Sequence, residues 1–218
     1  MPLRGRNADR HGGKMRNSII IALAATLALA AGAASAADEH LVLKPYPGPA
    51  PWKRITDKSG PQGWIHEQIP GNHADTDYSD ILTDQAFVAA RGADPAAFLR
   101  TIFQNVSSAC EGVKVNGPTA RLEAGVRVAY GQVRCGTQRG QPFGVHIFYK
   151  AIAGQRALYS IARDFQVPAS PDGHQLVFPK GAEARAAALL KAEATADSYL
   201  LNQVYLCGGA STDPRCGR

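Results

Sequence analysis

Between residues 126 and 165 the chain alternates apolar and polar positions through three successive runs, and this pattern constrains the fold more than any other feature. Val126, Val128 and Tyr130 keep one parity, Val133 and Cys135 keep the other, and Gly131 lies between them. A bulge at Gly131 inserts one residue and would return all five to a single face. After a turn near Gly140, Val145, Ile147 and Tyr149 alternate with His146 and Lys150, and a second turn near Gly154 leads to Tyr159, Ile161 and Phe165. Alternation with a period of two, interrupted by glycine turns, predicts an antiparallel meander.

The flanking segments extend this sheet and cover it. Strands are expected over 63–69, closed by Pro70-Gly71, and over 81–88. Asp94-Pro95 is a helix start, with the aspartate as cap and proline in the first turn. Phe98, Leu99, Ile102, Phe103, Val106 and Ala109 then recur at helical spacing and form a stripe that can bury against a sheet. A second, alanine-rich helix is expected over 183–201, with Leu189, Leu190, Tyr199, Leu200 and Leu201 on the same sheet face as the first. Val204-Tyr205-Leu206 reads as a short strand or extended tail. The expected fold class is α+β: an antiparallel sheet of about five strands with two helices packed on one face, stapled by two disulfides.

The start of the chain carries a targeting signal. Arg4, Arg6, Arg10, Lys14 and Arg16 precede an apolar run over 19–31, and Ala34-Ser35-Ala36 supplies a small-residue cleavage site, the three-part plan of a secretory signal peptide. Met15 is a second possible start. Cleavage near Ala36 predicts a periplasmic or secreted protein, and the apolar run falls short of the ~20 residues that span a bilayer, so no stable membrane span is expected after cleavage. The whole chain has 24 Lys+Arg against 18 Asp+Glu, but the leader holds five of the former and one of the latter, so 19 face 17 after cleavage. A charge of +2 gives no reason to expect nucleic acid as a partner. Residues 37–62 follow as an extended, proline-rich arm, with alternating prolines from Pro45 to Pro51 and Tyr46 and Trp52 as anchors, and 63–218 form one α+β domain.

In an exported chain four cysteines read as two disulfides, and proximity in sequence favours Cys110 with Cys135 and Cys207 with Cys216. Loop entropy assigns them about 3.5 and about 2.5 kcal/mol. A four-cysteine zinc site would need paired C-x-x-C spacing, which is absent.

Several polar residues fall where the apolar pattern does not explain them. Glu67 shares parity with Ile65 and Ile69, and Arg163 with Tyr159, Ile161 and Phe165, so both charges point toward apolar sides and are expected to form a buried ion pair with each other. The opposite parity places Arg127, Gln132, Arg134, His146 and Lys150 on one sheet face, a possible surface for an anionic ligand. His66, His73 and Asp75 are weak metal candidates. Pro70-Gly71 prevents the two histidines from sharing a helical turn, and the calcium-loop pattern around Asp75, Asp77 and Ser79 lacks its glycine and closing glutamate. No cofactor is expected, and no catalytic residue can be named: the chain has no G-x-S-x-G elbow, P-loop or dinucleotide fingerprint. The function expected is that of a non-catalytic envelope binding or accessory protein, whose partner is an envelope protein or an anionic ligand. The alternative is a small extracytoplasmic, metal-assisted hydrolase built around His66, His73 and Asp75.

Overall fold

Asp94 starts the first helix as its side-chain chemistry requires. Its carboxylate accepts hydrogen bonds from the backbone N–H groups of Ala96 (3.3 Å) and Ala97 (3.1 Å), and Pro95 occupies the first helical position of α1 (Pro95–Ser108). The structure, a computed structural model, describes residues 39–48, 51–171 and 176–217; the expected signal peptide lies outside them.

The chain is α+β, and its main sheet is larger than expected. Seven antiparallel strands run in the order β2-β3-β4-β8-β7-β6-β5: β2 (Trp52–Gly60), β3 (Gly63–Pro70), β4 (Asp80–Phe87), β5 (Cys110–Glu123), β6 (Val126–Gln138), β7 (Phe143–Ala153) and β8 (Leu158–Pro168). A two-stranded ribbon pairs β1 (His40–Leu43) with β9 (Val204–Cys207), and α2 (Glu183–Asn202) precedes β9. The five strands expected from sequence are β3, β4, β6, β7 and β8, the interior of the sheet. The two not expected, β2 and β5, are its edges, and residues 52–60 therefore belong to the sheet rather than to an extended arm. An edge strand has one partner and little burial, so it need not alternate. Accordingly β2 carries Lys53, Arg54, Asp57 and Lys58, whereas β5 contains Gly112, Gly117 and Pro118, with a register shift between Asn116 and Thr119.

The helices lie on opposite faces of the sheet, not on one. Leu99 and Phe103 of α1 pack with Ala129, Val133 and Ala151, while Ala196, Tyr199 and Leu200 of α2 pack with Val128, Ile152, Tyr159 and Ile161. Residues 128 and 129, like 151 and 152, alternate in parity, so the two clusters occupy the two faces. This removes the reason for a bulge at Gly131. Its register with β7 is regular, with Tyr130 opposite Lys150, Gly131 opposite Tyr149 and Gln132 opposite Phe148, the irregularity facing it lies in β5, and the change of apolar parity along β6 reflects burial of both sides.

Gly131 has a different role. A Cβ there would stand 2.7 Å from two Phe103 ring atoms and 2.8 Å from the Asn116 carbonyl oxygen. Gly131→Ala is therefore expected to lower stability by about 1–3 kcal/mol in urea unfolding; an unchanged midpoint would contradict this close approach of α1 to the sheet.

Both expected disulfides form, Cys110–Cys135 between β5 and β6 and Cys207–Cys216 at the end of β9, and no described cysteine is free. Disulfides of this kind fit an extracytoplasmic chain, since reducing compartments do not maintain them.

Candidate binding site

α1 runs directly into β5, so the helix overhangs the edge of the sheet. Arg100, Gln104 and Ser107 follow one another at i, i+4 and i+7 and line up along the outer flank of the helix. Phe103 closes the floor beneath them, and Val115, Gly117 and Pro118 of β5 form the facing wall. The result is an open groove of about 510 Å³. Ser108 also lines it, with its hydroxyl donating to the Asn105 carbonyl (2.7 Å). Arg100 is the charged residue of the lining; its guanidinium is 3.6 Å from Asp94 and half exposed, and no carboxylate lines the groove. Val115 is 41% exposed, an apolar side chain at the free edge of the sheet. An apolar floor flanked by a guanidinium, an amide and hydroxyls can hold an extended ligand and orient its acceptor groups.

The basic residues expected to form an open face do not form one. Arg134, His146 and Lys150 share a face, but α2 and β9 cover it. His146 Nδ1 is 2.5 Å from Glu193 Oε1 of α2, and Arg134 lies 3.6 Å from the same carboxylate. Lys150, fully buried, donates to Glu123 Oε2 (2.7 Å) and to the Val204 carbonyl of β9 (2.6 Å). Burial pushes the Lys150 ammonium down to about 8 against the pull of Glu123. Glu123 itself lies below the usual carboxylate range: burial would raise it, but the hydrogen bonds from Lys150 and Tyr130 outweigh that cost. Arg127 points to the α1 face, where it donates to the Gly92 carbonyl (2.9 Å). These side chains join layers of the fold and leave no open basic surface.

The expected Glu67–Arg163 pair is also replaced. Glu67 lies opposite Thr83, which lies opposite Ala162, on the α1 face; Arg163 lies opposite Leu82 and Phe148, on the α2 face. Each parity inside its own strand holds, but strand register sends the two side chains to opposite sides of the sheet. Glu67 instead accepts from the Thr56 hydroxyl (2.5 Å). Arg163, 1% exposed, pairs with Asp80, donates to the Ile81 carbonyl (3.0 Å), and stacks against Tyr46, Trp52 and Phe165 at 4.4–4.7 Å. Tyr46 also packs on Tyr199, whose hydroxyl donates to the Lys44 carbonyl (2.7 Å). The aromatic anchors Tyr46 and Trp52 are thus half-buried against Arg163 and the core under α2, so they are not free to serve as a ligand.

His66, His73 and Asp75 do not converge. His66 is held by Asp84 (2.8 Å), with Trp64 donating to the same carboxylate (3.0 Å); His73 sits 3.2 Å from Asp77; Asp75 is bound by Lys53 (2.7 Å). Among the described residues no group of three or more His, Cys, Asp or Glu side chains is arranged to hold a metal ion. The arrangement therefore lacks the centre that the hydrolase reading required.

Sequence reasoning did not assign Asp80, Asp84, Glu123 or Glu193 as the acidic partners of these groups. Glu193 had a legible signal, since it shares the helical stripe of Ala196 and Leu200 and a charge on such a stripe calls for a buried partner. The β5 wall of the groove had none, because β5 does not read as a strand. No protein-family model matches this chain, and no curated protein does. Among solved structures the chain is similar to the crystal structure of LpqN, involved in cell envelope biogenesis of Mycobacterium tuberculosis, with 16% identity, 78% of this chain and 84% of that chain covered, and a TM-score of 0.36; at that degree of overlap nothing of LpqN's role transfers to this chain.

Proposed function

We propose that this chain is an exported, non-catalytic binding or accessory protein of the cell envelope, periplasmic or secreted after cleavage near Ala36, and that it holds its partner in the groove between α1 and β5. The carrying observation is the groove itself: a cleft of ligand size whose lining has hydrogen-bonding groups and one guanidinium but no nucleophile–base pair. The buried His146, Lys150 and Arg163 are each engaged by an acidic partner, which supports a structural role for them. The charge of Arg100, unopposed by any carboxylate in the lining, favours an anionic ligand or an acidic stretch of an envelope protein.

The reading is tested by using the exported protein as bait in envelope extract, beside a Ser107→Trp variant that fills the groove from an exposed flank of α1. Capture of one partner by the wild-type protein at low salt, lost in the variant and weakened as salt rises, is the expected result. Equal capture by both proteins, or recovery of nothing at low salt, would overturn it.

A further inference from the structure

The two free edges of the sheet differ in how they are guarded. β2 presents Lys53, Arg54, Asp57 and Lys58, a density of charge that discourages pairing with another strand. The first half of β5, up to Asn116, instead presents Val113 and Val115 with Glu111 and Lys114, and Val115 is exposed. This half runs beside the α1–β5 groove. Pro118, which has no N–H, and the register shift between Asn116 and Thr119 interrupt the edge beyond it. Gly112, with φ 66°, interrupts the edge on the other side, so a strand laid along residues 113–116 would find its backbone partners on β5, and the side chains on its α1 side would meet Phe103, Gln104 and Ser107. An edge strand beside an overhanging helix is the setting in which extended peptides add to sheets: main-chain hydrogen bonds supply affinity, and alternate side chains supply specificity.

We propose that the β5 edge over residues 113–116 takes an extended, acidic peptide segment of a partner protein as an eighth strand, with alternate apolar side chains in the groove and a carboxylate on Arg100. The acidic character follows from charge: Arg100, Lys114 and Arg139 flank this half-edge against Glu111 and Asp94, the latter 3.6 Å from Arg100, and Arg139 is tied to the start of β5 through its N–H bond to the Ala109 carbonyl (2.9 Å). The proposal rests on the groove being the binding surface and goes further in naming strand addition and the peptide's charge.

The experiment uses the exported protein with both disulfides intact and a synthetic, end-capped heptapeptide alternating Val and Glu, with a Val/Lys peptide as control. Amide hydrogen exchange along β5 is the readout. With the Val/Glu peptide at millimolar concentration, exchange at the outward amides of residues 113–116 is expected to slow at least tenfold; the Val/Lys peptide should leave it unchanged, and Arg100→Glu should abolish the effect. Equal protection by both peptides would overturn the acidic preference, and no protection of β5 amides would overturn strand addition. The two readings separate cleanly: partner capture that Ser107→Trp abolishes, without β5 protection by the Val/Glu peptide, removes strand addition and leaves the groove standing, whereas absence of capture removes the groove reading itself.

Discussion

Arg163→Ala is expected to lower the free energy of unfolding by about 3–5 kcal/mol, the cost of breaking a buried ion pair by removing one partner. The substitution leaves Asp80 without its cation, frees the Ile81 carbonyl, and removes the plane on which Tyr46, Trp52 and Phe165 stack. Two further variants separate these effects. Arg163→Lys keeps the charge but not the planar fork or the stacking, and should recover only part of the loss. Arg163→Met combined with Asp80→Asn removes both charges and refills the volume, and should recover most of it. Urea unfolding followed by tryptophan emission reads out both stability and the docking of Trp52, whose fluorescence should shift to the red if the segment detaches before the sheet unfolds. A loss below 1 kcal/mol in Arg163→Ala would show that Arg163 does not hold the proline-rich segment in place.

Asp164→Asn is expected to stabilise the protein at pH 8 by about 2–4 kcal/mol and to change it little at pH 4. Burial raises the Asp164 carboxyl from 3.8 to about 7, with Arg163 opposing the shift and Glu67 and Asp80 reinforcing it. The Oδ1 atom of Asp164 is buried and has no hydrogen-bond partner. Because the folded value lies above the unfolded one, the folded protein keeps a proton that the unfolded chain releases. The contribution is therefore complete below about pH 3.8 and is lost as pH rises toward 7. Asparagine keeps the shape of the protonated acid and does not ionise, so the difference between variant and wild type isolates this group from all others that titrate. Unfolding free energies at pH 4, 6 and 8 check the prediction, and a difference that does not grow with pH would refute it.

Much of the fold is legible in local sequence because local chemistry causes it. The Asp94-Pro95 pair needs no tertiary partner to start a helix, and the alternation through β6, β7 and β8 reports strands whose side chains are sorted by burial. Proximity of the cysteines sufficed for both disulfides. The edges β2 and β5 escape notice for the converse reason: with one neighbour and much solvent, Lys53, Arg54 and Lys58 on one, and Gly117 and Pro118 on the other, satisfy no core and leave no pattern. The candidate site inherits that silence, since one of its walls is β5.

By itself the sequence determined the α+β class, the interior strands, the disulfide pairs and the in-strand parity of β3, β7 and β8, though not that of β6 beyond Gly131. Only the tertiary structure decided which parities meet. Glu67 and Arg163 each point toward an apolar side, yet strand register places Thr83 and Ala162 beside Glu67 and Leu82 and Phe148 beside Arg163, so the two charges stand on opposite faces and Asp80 becomes the partner of Arg163. The same cause put the helices on opposite faces and closed the basic face beneath α2. Alternation along one strand states that two sides differ; it carries no information on which side a neighbouring strand shares, because a shift of one residue in register exchanges every side chain between faces.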